Sequence, residues 1–139
     1  MIPRFNKYGY LPRGAHRSGL AEVKRLFGGG SAQREELFKG ICAIAELLRK
    51  HKKHVKKFLL NGSYVTSKKE PGDFDCIVIL KEGFDFSSPE AKRLKRSKEL
   101  FNGHILAVME EDAAECRRLI GFFGHDRDRK PKGLVEVIL

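Results

Sequence analysis

Two short apolar runs constrain this chain most: Val55–Leu60, which leads into Asn61-Gly62-Ser63, and Phe74–Leu80, which Asp73 and Asp75 open. Each is short and rich in branched or aromatic residues, the first broken only by Lys56 and Lys57, so both are predicted as strands covered on both faces. The segment between them narrows the reading. A polar loop carrying Lys68 and Lys69 joins the runs, and Pro71-Gly72 precedes the first aspartate. Alternate residues of a strand share a face, which puts Asp73 and Asp75 side by side with Phe74 opposite. Adjacent carboxylates repel unless a cation lies between them, and hard divalent ions suit oxygen ligands of this kind. A glycine beside them lets the backbone approach a ligand closely. The pattern is that of a metal-phosphate site.

The remaining chain supplies helices and two further strands. Ser18 caps a predicted short helix, Gly19 to Phe27, and Gly28-Gly29-Gly30 ends it. No Gly-Lys-Ser/Thr follows the triple glycine, so it reads as a connection and not a phosphate loop. Ser31 starts the longest helix, with Leu37, Ile41, Ile44, Ala45 and Leu48 on one stripe and a basic end, Arg49 to His54. His51 and His54 have no carboxylate or cysteine beside them in sequence and do not read as metal ligands. Ser88-Pro89 starts a helix expected to run unbroken to about Phe101, bearing Lys92, Arg93, Lys95, Arg96 and Lys98. Asn102-Gly103 then turns the chain into a third strand, His104–Met109. A helix from Glu111 to Phe123, a charged loop and a last strand, Leu134–Leu139, follow. Residues 1–18 read as an extended arm. The expected fold is α/β (α+β): one domain, residues 1–139, with a mixed sheet of about four strands flanked by helices and an N-terminal helical pair.

Composition bounds the partners. The net charge is +10 across 139 residues, which favours a nucleotide, RNA or an acidic protein. No apolar run is long enough to cross a membrane, and the N-terminus lacks the apolar stretch of a secretion signal. Cys42, Cys76 and Cys116 are odd in number and lack zinc-ligand spacing, as expected of free thiols in a cytoplasmic protein.

Strand, Gly-Ser, short loop and Asp-x-Asp on a neighbouring strand together resemble the DNA polymerase beta-like nucleotidyltransferase superfamily. Tyr10-Leu11-Pro12-x-Gly14-x-His16, Asn61 to Thr66 with Lys68, and Asp126-Arg127-x-x-Lys130-Pro131-Lys132-Gly133 extend the likeness over nearly the whole chain. They look like a poorly characterised family of small bacterial stand-alone proteins within that superfamily. Relatives of this size often resemble members of toxin-antitoxin or defence pairs. The resemblance implies attack by a hydroxyl on the alpha-phosphorus of a nucleoside triphosphate, with release of pyrophosphate. The acceptor is then a hydroxyl of RNA, protein or a small molecule. It implies that Asp73 and Asp75 are catalytic and hold magnesium (or manganese). It implies that Gly62 and Ser63 hold the phosphates, with Lys68 and Lys69 neutralising their charge. Thr66 is expected to cap the short turn after the first strand.

One departure is visible. The superfamily carries a third carboxylate on a later strand, and Leu106 stands where that acid is expected. Glu110 lies roughly 13 Å further along the strand. His104 shares a face with Leu106 and offers a nitrogen base, although a histidine at a strand end is usually structural. Two alternatives follow. The chain is a degenerate nucleotidyltransferase-fold protein that binds RNA or a partner, with or without a second copy completing the site. Otherwise Asp73 is only a turn residue bonding its own backbone after Pro71-Gly72.

Overall fold

The computed structural model describes residues 1–139. In chain order the elements are β1 (Ala15–Ser18), α1 (Leu20–Phe27), α2 (Ala32–Arg49), β2 (Val55–Asn61), β3 (Phe74–Leu80), α3 (Pro89–Lys95), α4 (Ser97–Phe101), β4 (Gly103–Met109), α5 (Ala113–Phe123) and β5 (Leu134–Val137). The strands form one mixed sheet in the order β1-β5-β2-β3-β4. β2 runs antiparallel to both β3 and β5, whereas the outer pairs, β3–β4 and β1–β5, are parallel. The β3–β4 connection is a crossover through α3 and α4, as a parallel pair requires.

One sheet face carries the main core. Phe58, Leu60, Cys76, Val78, Val135 and Val137 point to that side and pack with Val23 and Phe27 of α1 and with Leu37, Ile41, Ile44 and Leu48 of α2. The stripe predicted on the longest helix is therefore its buried face, and Ser31 caps that helix by accepting from Arg34 N at 3.1 Å. The other face is covered only in part. Leu59, Ile77, Ile79 and Val108 meet Leu119 of α5 in a smaller cluster. Beyond α5 the same face carries Glu136, which pairs with Arg17 and Lys57.

Three expectations change. The sheet has five strands, because residues 15–18 of the presumed arm pair with β5 in register from Ala15–Leu134 to Ser18–Val137. The basic helix is broken at Arg96, whose φ/ψ of −96°/18° leaves the helical range. The buried Ser97 hydroxyl there donates to Gly103 O at 2.8 Å, tying the second piece to the start of β4. The last strand stops at Val137. No helix is long and apolar enough to cross a membrane.

Candidate functional site

Strand directions gather the chemistry at one end of the sheet. β2 ends where β3, its antiparallel neighbour, begins, so Asn61 lies opposite Asp75. β4 starts at the same end and sets His104 beside Asp75. β5 also starts there, and the loop ahead of it, residues 124–133, closes over the strand ends.

The Asp75 carboxylate sits on Gly62. That glycine has φ +74°, and a Cβ added to it would lie 2.2 Å from Asp75 Oδ2. Only glycine meets both demands. Gly62→Ala is therefore expected to displace the carboxylate and to cost about 1–3 kcal/mol. Thermal unfolding checks this, and a wild-type melting temperature in the alanine variant would contradict it.

Asp75 itself is partly buried and poorly compensated. Its one side-chain partner is His104 Nδ1 at 3.3 Å from Oδ1. Burial pushes its carboxyl above the usual range, the negative charge of Asp73 adds to this, and His104 and Lys132 oppose it. Asp73 lies one residue ahead of β3, in a turn held by Gln33 and Asn102, both of which donate to Gly72 O. No backbone hydrogen bond ends on the Asp73 carboxylate, so the structure gives no support to its reading as a self-bonded turn residue.

Gly62 opens a 3-10 turn over Ser63–Val65. Thr66 closes it, donating to Ser63 O from its backbone at 3.1 Å and from its hydroxyl at 2.6 Å, which is the capping role expected of it. The half-buried Ser63 leaves its own hydroxyl without a protein partner. Beneath the turn lies Arg34, a buried guanidinium that sequence reasoning missed. Its Nη1 donates to Phe27 O and Tyr64 O at 3.0 and 2.8 Å, and its Nη2 donates to Thr66 O at 2.9 Å and to Lys68 O. The ring of Tyr64 stacks against it at 5.3 Å.

The segment from Asp126 to Gly133 is visible in sequence, but not its place facing Asp75. A cleft of about 880 Å³ lies between Gly62 and Asp75 on one side and Phe122, Phe123, His125, Arg127, Arg129 and Lys132 on the other. Asp126 shapes this loop by accepting from Asp128 N, Lys130 N and the Tyr10 hydroxyl at 2.9, 2.8 and 2.8 Å. Arg129 takes φ +63° at its tip, a conformation such a turn must hold in place. Lys130 and Lys132 lie over the rings of Tyr8 and Tyr10, which fastens the loop to the N-terminal segment. Of the residues expected at the site, Gly62 and Asp75 line this cleft, whereas Ser63, Asp73 and the exposed Lys68 and Lys69 lie outside its lining.

A family model matches residues 3–138 and describes a family of unknown function, DUF6932. The chain belongs to this family. No curated protein and no solved structure matches it. The DUF6932 match spans every element of the sheet, the basic loop and the segment fastened to it, so the cleft lies wholly inside the matched region.

The strand register shows what stands beside Asp75 on β4. Leu106 pairs with Ile77, not Asp75, and packs with the cluster beneath α5. The residue beside Asp75 is His104, half exposed. No group of three or more histidine, cysteine or acidic side chains converges anywhere in the chain. His51, which sequence left without an acidic neighbour, has Glu90 at 2.7 Å from its Nε2.

Proposed function

We propose that this chain, on a nucleotidyltransferase-like fold, binds a nucleoside triphosphate with magnesium or manganese and transfers its nucleotidyl group to a hydroxyl acceptor. One observation carries the reading: a crowded carboxylate on a glycine turn faces a loop of unpaired cations across a single cleft. A polyanion that brings a divalent ion satisfies both walls. The donor set fits such an ion, because magnesium is usually held by one or two carboxylates plus substrate phosphates. Asp73 and Asp75 are the residues that would hold it. When bound, the ion neutralises charge building on the phosphoryl oxygens.

The chain's own residues divide the remaining work. The Ser63 hydroxyl and the Gly62-Ser63 backbone offer donors to phosphate oxygens. Arg127, Arg129 and Lys132 neutralise the triphosphate and the departing pyrophosphate. The acceptor hydroxyl attacks the alpha-phosphorus, the bond to the bridging beta oxygen breaks, and the hydroxyl proton needs a base. His104 stands beside Asp75 for that role, its Nδ1 at 3.3 Å from Asp75 Oδ1. A second reading keeps nucleotide binding without turnover. It draws on the missing third carboxylate, since no cluster of three ligating side chains forms.

Incubation with each alpha-labelled nucleoside triphosphate, magnesium or manganese, and RNA or cell extract tests both readings. Label transfer is expected. The triple variant Arg127→Ala/Arg129→Ala/Lys132→Ala should bind nucleotide at least about tenfold more weakly, a loss of roughly 1.4 kcal/mol or more, with a flatter salt dependence. Metal-dependent binding without transfer to any acceptor supports the second reading. No metal-dependent binding at all would sink both.

A further inference from the structure

A second cavity lies away from the cleft's basic wall. β4 is the outermost strand on its side of the sheet, so its outer edge has no strand partner. Along it runs a groove of about 320 Å³ between the strand and the α3–α4 pair, lined by Phe84, Phe86, Leu94, Ile105, Lys95 and Lys98 among others. The floor is apolar, and Phe86 is half exposed at the mouth. An open edge beside an apolar groove offers main-chain hydrogen bonds and a side-chain pocket together, as strand addition requires.

Charge selects among possible occupants. Lys92, Lys95 and Lys98 have no carboxylate within ion-pair distance; of this basic run Arg96 pairs with Glu99 at 2.9 Å and Arg93 lies over the Phe101 ring at 5.7 Å. A chain of net charge +10 that keeps these lysines unpaired beside an apolar groove disfavours another copy of itself there and favours an acidic occupant. We propose that the outer edge of β4 and the groove beneath α3 dock an extended acidic segment of a partner protein, which adds as a strand, inserts an apolar side chain against Phe84 and Ile105, and sets carboxylates against Lys95 and Lys98. Alternate residues of an added strand face opposite sides, so the matching segment alternates apolar and acidic residues.

The test needs neither nucleotide nor metal, so its outcome is independent of the proposed transfer activity. A fluorescein-labelled octapeptide alternating leucine with glutamate is titrated with the whole protein and followed by anisotropy. Binding is expected to weaken at least tenfold for a copy N-methylated at alternate backbone positions, and at least tenfold for Lys95→Glu/Lys98→Glu, which changes only surface residues. Phe86→Asp, also at the surface, should weaken it several-fold. Equal affinity for the N-methylated copy means charge attraction without strand pairing and overturns the proposal. So does displacement of the peptide by polyuridine at lower concentration, which assigns the lysines to nucleic acid. A dimer in light scattering that the octapeptide cannot dissociate overturns it as well, because a second copy then holds the edge.

Discussion

Asp75→Asn is expected to abolish nucleotide transfer, by about a thousandfold or more, while raising the melting temperature of the metal-free protein. The two effects have one cause. Asp75 is half buried, crowded by the charge of Asp73 and relieved only by His104 at 3.3 Å and by the more distant Lys132. Its carboxyl therefore titrates above the ordinary value, so the folded protein holds that proton more tightly than the unfolded chain does. Stability falls as pH rises from the ordinary carboxylate value to the raised one, and the deficit persists above it. Asparagine keeps the shape without the charge. A higher melting temperature at neutral pH is expected, together with loss of that part of the pH slope. Thermal unfolding across pH 3–8 beside transfer assays checks both. A large drop in melting temperature would show that Asp75 is a structural partner of His104, and the site would lose its central residue.

The largest effect on stability is expected at Arg34. Arg34 is 7% exposed, its guanidinium has no carboxylate partner, and the carbonyls of Phe27, Tyr64, Thr66 and Lys68 supply its compensation. Burial lowers its pKa, yet a guanidinium stays charged. Arg34→Ala leaves these carbonyls without a donor and a hole beneath Tyr64. A buried acceptor stripped of its partner costs about 1–3 kcal/mol, and several act as one unit here, so roughly 3–5 kcal/mol is expected, the upper range for a single substitution. The melting temperature should fall by about 10 °C or more. Arg34→Lys should recover only part of this, because an ammonium cannot span both carbonyl pairs as the fork does. Amide hydrogen exchange at Tyr64–Lys68 should accelerate in both variants. An unchanged melting temperature would mean that the turn after β2 holds itself.

The elements legible in sequence are those with a local signal. Ser31 and Ser88 cap the helices they were expected to cap, because each accepts from the backbone N–H three residues on. The runs at Val55 and Phe74 are strands because Phe58-Leu59-Leu60 and Cys76 to Leu80 are apolar and buried, although Lys56 and Lys57 interrupt the first run. What escaped is what depends on distant partners. β1 alternates exposed and covered residues over only four positions, and its identity comes from pairing with β5. Arg34 looks like any charge in a helix's first turns until the loop after β2 is laid across it. Leu106 was judged by its place in a motif, whereas register decides what stands beside Asp75. The basic wall was visible as Asp126 to Gly133, but nothing local showed that β5 would carry it to Gly62.

The pairing of β1 with β5 also sets an order of assembly. Ala15 meets Leu134, so the outer strand cannot join the sheet until the far end of the chain arrives. Closing so long a loop is slow compared with forming α1, α2 and the β2–β3 hairpin, whose partners are close in sequence. A chain still leaving the ribosome can hold the Gly62 turn and both aspartates while its cationic wall is unmade. The cleft between Gly62 and the basic loop is thus completed in the last step of folding, and the nucleotide binding proposed for it has to await the whole chain.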